Sequence, residues 1–548
     1  MVGARGGMKQ GFRQSMAWLH TWTGLLVSWL LLLIFMGGTS AYYKEEISRW
    51  MRPELPIAPT DAATALDSAE RYLRRYAPDA LSWNLTLPNA RAQVVEMYWM
   101  NPPAPEGAPE RPSYGVATVD PRSGEAVAAR ETSGGEFLYR LHFDLHYIPA
   151  LWARYIVGFC AMFMLVAIIS GIITHKKIFK DFFTFRPGKG QRSWLDFHNV
   201  SAVLALPYHA MITYTGIVTL MFMYLPWGIS ARYPDNEQRY YDEAANRIAD
   251  TRPRAGTPAQ MLPLPELLAK AQAQWPEVAI DSVAVSNPDD ANAGVIFSAR
   301  TASISDIAPS LLFDGTNGKL LERSGPPGAA TRTYGTLEGL HVAHFADPAL
   351  RLLFFGCGLL GCLMVASGAV LWATKERPKH LKAGRIGFGL RLVDALNIGA
   401  VAGLPIAFAA YFWGNRLLPV DVAGRADLEA NVFFWAWGAA LMAAFVWPKR
   451  AMWVWQLYVG AALFAGIPIV NALTTGIHLG VTIPAGLWSL AGVDLVCLGL
   501  GAALAVAARR VQRWRPPLPA AQRRAHADRS RNAAAVMAVR AEPSGEHA

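Results

Sequence analysis

Eight stretches of this chain are apolar almost without interruption: about 20–43, 149–174, 197–223, 349–373, 392–414, 431–447, 452–472 and 483–507. Each approaches or exceeds the ~20 residues with which an α-helix crosses a hydrocarbon core of roughly 30 Å. The pattern therefore predicts eight membrane helices. Two connections break it. Residues 44–140 and 224–340 are long and polar, and each carries one stretch of helical period followed by stretches of period two. In the first, a helix is expected over Ala63–Tyr76 and strands over Leu81–Leu87, Ala92–Trp99 and Tyr114–Val119. In the second, a helix is expected over Pro265–Gln274 and strands around Asp281–Val285, Gly294–Ala299 and Ser310–Phe313. Both end alike, in Asp120-Pro121-Arg122-Ser123-Gly124 and Asp314-Gly315-Thr316-Asn317-Gly318. An Asp that opens a turn and a Gly that closes it suit a hairpin. The expected fold is an all-α polytopic membrane bundle with two inserted α+β domains.

Composition agrees with a bilayer as solvent. Of the 548 residues, 53% are hydrophobic, and the 19 Trp and 18 Tyr suit the lipid–water boundary. The net charge of +10 is gathered at helix ends, so it reads as orientation and not as a nucleic-acid surface. Basic residues stand before the first helix (Arg5, Lys9, Arg13) and after the second (Lys176, Lys177, Lys180, Arg186, Lys189, Arg192, against Asp181). They recur after the fourth (Lys375, Arg377, Lys379, Lys382, Arg385), the sixth (Lys449, Arg450) and the eighth (Arg509, Arg510, Arg513, Arg515). Every second boundary is basic, which places these ends and both termini in the cytoplasm. The loop with Asp421, Asp427 and Glu429 then lies outside. The first apolar run has no small-residue cleavage site behind it and reads as an uncleaved membrane helix. The four cysteines, Cys160, Cys357, Cys362 and Cys497, all lie within apolar runs, so none staples an external domain.

The chain divides accordingly. Residues 1–43 are an N-terminus and first helix, 44–140 a first external domain, and 141–223 the second helix, a basic loop and the third helix. Residues 224–340 are a second external domain, 341–374 the fourth helix, 375–391 a basic loop, 392–507 a four-helix membrane region, and 508–548 a disordered cytoplasmic tail rich in Ala, Arg and Pro.

The first 374 residues read as two copies of one unit, helix–domain–helix. Leu19-His20 opens the first helix and Phe197-His198 the third; Gly38 and Gly216 follow their histidines by eighteen residues. Leu141-His142 precedes Pro149 and ends in Ser170-Gly171; Leu340-His341 precedes Pro348 and ends in Ser367-Gly368. Both copies start on the same side, so a pseudo-two-fold axis along the membrane normal is expected. Such an axis brings equivalent histidines face to face: His20 with His198 at the cytoplasmic side, His142 with His341 at the outer side. Two opposed imidazoles, each with one neutral nitrogen, are what bis-histidine haem ligation needs. A lone interfacial histidine more often bonds headgroups or helix ends; two symmetry-matched pairs favour ligands. His146, His175, His209 and His344 are secondary candidates. His209 stands eleven residues after His198, which in an unbroken helix is roughly 16 Å deeper on nearly the same face. The last four helices hold no histidine within the bilayer, and their Asp494 is an isolated ionisable group.

These residues resemble the PepSY-associated transmembrane-helix family over residues 10 to about 380. The resemblance rests on Leu19-His20 with Gly24, Trp194 with His198, Leu-His before the second and fourth helices, and Ser170-Gly171, Thr215-Gly216 and Ser367-Gly368 near helix ends. It departs at Ala202, where the first copy has Gly24, and in the four extra C-terminal helices. The resemblance implies PepSY-like domains on the periplasmic side of a bacterial inner membrane. The family includes siderophore reductases that carry haem b. It further implies His20, His142, His198 and His341 as ligands of two haem groups, a periplasmic ferric siderophore or other acceptor, and an external donor, either quinol or a cytoplasmic reductase. No Gly-rich strand–helix turn for flavin or NAD appears. The rival readings are a PepSY protein that binds or regulates a periplasmic peptidase, and a transporter using Asp494 as a proton site.

Overall fold

The structure is a computed structural model describing residues 11–57, 60–103, 112–175, 186, 188, 190–244, 246–300 and 303–514. The basic positions Arg5, Lys9, Lys176, Lys177, Lys180 and Lys189, with Asp181, lie outside the described residues, as do Arg515 and the tail that follows it.

The protein is a multi-pass membrane protein. Seven helices are long and apolar enough to cross a bilayer, and a bent pair completes an eighth span. The long helices are α1 (Phe12–Ala41), α5 (Ala150–Thr174), α10 (Pro348–Lys382), α13 (Arg425–Val446), α14 (Arg450–Thr474) and α15 (Trp488–Arg513). A further span runs from α11 (Phe388–Asn397) through a π turn (Ile398–Ala402) into α12 (Gly403–Leu417). Pro405 explains that turn: it has no N–H for the carbonyl four residues back, and the wider turn absorbs the missing bond. Within that turn the carbonyl of Gly399 accepts from Trp437 Nε1 at 3.0 Å.

The third expected helix, 197–223, is not continuous. Helices α6 (Gln191–Leu204) and α7 (Leu206–Thr219) meet at 68°. Pro207 sits in the first turn of α7, where its ring clashes with the preceding turn and its missing N–H costs the helix nothing. His198 and His209 therefore do not share one helical face.

The two polar connections form one body. Strands β1 (Ser82–Thr86), β2 (Val95–Met100) and β3 (Tyr114–Val119) come from the first. Strands β4 (Ile280–Ser286), β5 (Gly294–Ala299), β6 (Ser310–Asp314) and β7 (Leu320–Arg323) come from the second. They join in a single antiparallel sheet of order β3-β2-β1-β4-β5-β6-β7. At the junction Trp83 pairs with Val285 and Leu85 with Val283. Alternate residues turn to one face, where α3 (Ala62–Tyr76) and α8 (Leu264–Gln274) cover them. Trp83, Met97, Val285, Phe297, Leu66, Leu73, Leu267 and Leu268 share one core. Both Asp-to-Gly turns form as expected: Gly124 donates to the Asp120 carbonyl and Gly318 to the Asp314 carbonyl, each at 2.9 Å. Both glycines are left-handed, with φ of +74° and +71°.

Two helices unforeseen in the sequence link this body to the membrane: α2 (Lys44–Met51) and α4 (Gly134–Leu141), matched in the second half by α9 (Ala329–Val342). His142 caps the C-terminus of α4 and His341 lies in the last turn of α9. As the sequence places them, they precede the membrane helices α5 and α10, which start only at Ala150 and Pro348, and a loop intervenes. Those loops carry left-handed residues, Leu145 and His146 in one and Ala343 in the other.

The C-terminal spans pack onto α1. Trp29 Nε1 donates to Asn397 Oδ1 at 2.8 Å, and Asn397 Nδ2 donates to the Ala369 carbonyl at 3.2 Å.

Candidate functional site

The four histidines meet in two pairs. His20 and His198 have ring centroids 6.2 Å apart, with planes at 63°. His142 and His341 have centroids 6.0 Å apart, with planes at 29°. The two pairs lie toward opposite ends of α1. His20 sits on that helix near its start, and the His142 ring rests against Gly38, eighteen residues on, or roughly 27 Å at 1.5 Å per residue.

Each ring is held in the same way. His20 Nδ1 lies 2.8 Å from the Ala167 carbonyl, His142 Nδ1 2.7 Å from that of Ile34, and His198 Nδ1 2.9 Å from that of Met364. A carbonyl can only accept, so each Nδ1 carries the proton and donates. His341 Nδ1 lies 3.2 Å from Thr215 Oγ1. That hydroxyl already donates to the Met211 carbonyl, so it accepts from His341. In all four rings Nε2 is the bare nitrogen, and among the described residues it has no hydrogen-bond partner. A ring fastened through Nδ1–H with Nε2 presented is the arrangement that fixes the tautomer of a metal-binding histidine.

Glycines make the room. A Cβ added to Gly38 would lie 2.7 Å from the His142 ring, and one on Gly216 2.7 Å from that of His341. One on Gly171 would lie 3.1 Å from the His20 ring, and one on Gly368 3.2 Å from that of His198. These are the glycines whose matched spacings suggest a repeat in the sequence; their role as ring seats was not legible there. Small residues let membrane helices and their side chains approach closely.

The pairs fit a haem iron. A metal–imidazole bond of about 2 Å, plus about 1 Å from nitrogen to ring centre, would allow two imidazoles sharing one metal ion a centroid separation of up to roughly 6 Å. No group of three or more His, Cys, Asp or Glu side chains that could hold a metal occurs among the described residues. Two protein ligands suffice only where the remaining positions are filled by another donor set, as porphyrin fills them.

The secondary candidates stand apart from this pattern. His209 is fully buried in α7, with its Nε2 3.3 Å from the Cys357 carbonyl. Its ring neighbours are Phe35 and Tyr208. It thus bonds through the nitrogen opposite to that of the four paired rings. His146 stacks on Phe434 at 5.4 Å. His175 caps α5. His344 pairs with Asp306 at 3.0 Å. Asp494 accepts from Trp50 Nε1 and Asn471 Nδ2, each at 3.1 Å, and so anchors α15 to α2 and α14.

Comparison with known proteins adds two findings. The family described as "PepSY-associated TM region" matches residues 17–375, which contain all four paired histidines. The chain is also similar to the Pseudomonas aeruginosa protein named "Uncharacterized protein PA4219". The two are 26% identical over 380 residues, covering 64% of this chain and 89% of that relative.

Proposed function

The chain belongs to the PepSY-associated TM region family, and from that and its two histidine pairs we propose a haem-containing inner-membrane reductase that passes electrons across the bilayer. The acceptor is periplasmic, a ferric siderophore in iron uptake, and the donor is external, quinol or a cytoplasmic reductase. The observation carrying the reading is that four histidines meet as two facing pairs toward opposite ends of α1, each ring with Nδ1 anchored and Nε2 presented.

His20 with His198 would hold one haem b, and His142 with His341 the other. Bound haem iron supplies one-electron chemistry between its ferric and ferrous states. The chain's own contribution is positioning. The carbonyls of Ala167, Ile34 and Met364 and the Thr215 hydroxyl fix the tautomer of each ring, and the glycine seats set its depth against the neighbouring helix. Reduction loosens iron from oxygen-donor chelators, which hold the ferric ion more tightly than the ferrous.

The repeated arrangement of helix, strands and helix supports a duplicated unit related by a pseudo-two-fold axis, with the β1–β4 junction on that axis. Basic residues lie at helix ends away from the sheet, including Arg13, whose guanidinium bonds the Thr174 carbonyl at the end of α5. This supports a cytoplasmic N-terminus and a periplasmic sheet. The test is an absorption spectrum of the purified protein: a Soret band that shifts on dithionite reduction is expected. Colourless protein from haem-replete cells would sink the reading.

A further inference from the structure

A cavity of about 1200 Å³ lies between the family-matched region of the chain and the C-terminal helices. One wall is built from α1, α2 and α10, the other from α12, α14 and α15. Its lining changes character with depth. On α10 it runs from Arg351 through Phe355 and Leu359 to Cys362; on α15 it runs from Ser489 through Gly492 and Val496 to Leu500. Each series spans eleven residues, or roughly 16 Å along its helix. At the sheet end the lining cations are Lys44, Arg91, Arg300 and Arg351, and the lining anions Glu45, Glu46, Asp281 and Asp306. These are paired: Glu46 with Arg91 at 2.7 Å and Arg351 at 3.1 Å, Asp281 with Arg300 at 2.5 Å, and Asp306 with His344 at 3.0 Å. Lys44 pairs with Glu136 at 3.2 Å. The deep end is apolar, with Phe408, Phe412 and Phe464 facing α10. At the rim Leu352 and Trp488 are largely exposed, on helices that cross the bilayer.

We propose that this slot binds an amphiphile drawn sideways from the bilayer, with a head of zero net charge at the ion-paired end and its apolar body between α10 and α15. Lys44, Arg91, Arg300 and Arg351, with His344 beside Asp306, are set against Glu45, Glu46, Asp281, Asp306 and the Lys44 partner Glu136, so the charges pair off and leave no net field to hold an anionic head. A head that only donates and accepts hydrogen bonds, or carries both charges, matches them. Prenyl quinones and zwitterionic phospholipids share that chemistry. The wall of α12, α14 and α15 lies beyond residue 375, outside the family-matched region, so the slot exists only where this chain's C-terminal helices meet the matched part.

The test uses the full-length protein extracted in mild detergent, with its bound amphiphile measured by native mass spectrometry and by extraction. Nothing lies within 4 Å of a Cβ built on Gly492, so Gly492→Phe fills the slot without meeting backbone. Gly438 on α13 is equally open but does not line the cavity, and Gly438→Phe is its control. Wild type is expected to retain a neutral or zwitterionic amphiphile, with a several-fold loss in Gly492→Phe and none in Gly438→Phe. A prenyl quinone and a zwitterionic phospholipid are told apart by mass, and either meets the expectation. Retention of anionic lipid alone, no retained amphiphile, or equal retention in Gly492→Phe overturns the proposal. Should Gly492→Phe fail to give monodisperse protein, Ser489→Trp at the exposed mouth decides by the same criteria. The readout is the amphiphile itself, so the outcome is independent of haem content.

Discussion

At each paired histidine, the bond made by one ring nitrogen decides what the other can do. A carbonyl facing Nδ1 forces the proton there and leaves Nε2 with a bare lone pair. On the proposed function, removing one ring of a facing pair leaves its partner without a second ligand on the same metal. His142→Ala and His341→Ala should then each lower haem content from about two toward about one per chain, as should His20→Ala and His198→Ala. Variants within one pair should give matching spectra, and variants of different pairs distinct ones. His209→Ala should leave the haem-to-chain ratio unchanged, because that ring bonds through Nε2 and its ring neighbours are Phe35 and Tyr208, not a second imidazole. A lost haem in His209→Ala, with full content in His20→Ala, would refute the pairing. The pairing itself was readable from repeated spacing. Its anchors were not, since the carbonyls of Ile34, Ala167 and Met364 belong to residues whose side chains say nothing of the bond. His344 offers a pH test outside the membrane spans. Its hydrogen bond to Asp306 holds its pKa above the ordinary 6.5 despite opposing burial. A raised folded pKa gives stability that is complete below the unfolded value and lost as pH rises through the folded one. Amide protection at the α9–α10 junction should therefore fall as pH rises above about 6.5, and Asp306→Asn should flatten that dependence.

Between elements, glycine seats and buried ion pairs set how helices approach. A side chain at Gly38 must displace the His142 ring, because even its Cβ would stand 2.7 Å away. Gly38→Leu should thus copy the haem loss of His142→Ala while His142 is still present. Gly171→Ala, with 3.1 Å to the His20 ring, should give a smaller spectral change. The added helices are fastened by a different device. Arg425 and Glu429 are fully buried and bonded to each other, Asn415 Nδ2 donates to Glu429 at 2.7 Å, and the Thr132 hydroxyl donates to the same carboxylate. Glu429→Ala leaves a buried guanidinium without its counter-charge, a change that costs about 3–5 kcal/mol. A large drop in thermal stability is expected. The double variant Arg425→Met, Glu429→Met should recover much of it, since two apolar side chains leave no orphaned charge. A double variant no more stable than Glu429→Ala alone would contradict this account. The membrane helices were legible because a bilayer demands long apolar runs. The break at Ala205 was hidden inside one such run, although Leu206-Pro207 carried the signal. Helix α4 escaped notice because it has only eight residues and begins Gly134-Gly135, a poor helix start by propensity.

At the scale of the whole molecule, two polar connections complete each other through strands about two hundred residues apart, β1 and β4. Their strands were readable one by one from period-two alternation, with β7 missed because only four residues form it. That β1 and β4 pair was not readable, because strand partnership across such a separation leaves no local mark. The consequence is a single folding unit: both halves bury their apolar faces in one core under α3 and α8. Each half alone would present an open strand edge, β1 or β4, which invites mispairing. This makes a testable claim about cooperativity. Asn84 lies at the centre of β1, opposite Tyr98 on β2 and Ala284 on β4. Pro at this position removes a ladder donor and cannot be accommodated in an interior strand. Two independent domains would confine the damage to β1–β3. One shared sheet would pass it across the junction into β4 and β5, since β4 then loses its inner partner and the core loses the fit around Trp83, which is 1% exposed. Hydrogen exchange of Asn84→Pro should therefore show faster amide exchange over 280–286 and 294–299 as well as 95–100, with α13 to α15 keeping wild-type protection. Unchanged protection over 280–314 would mean that the two halves fold apart and merely touch.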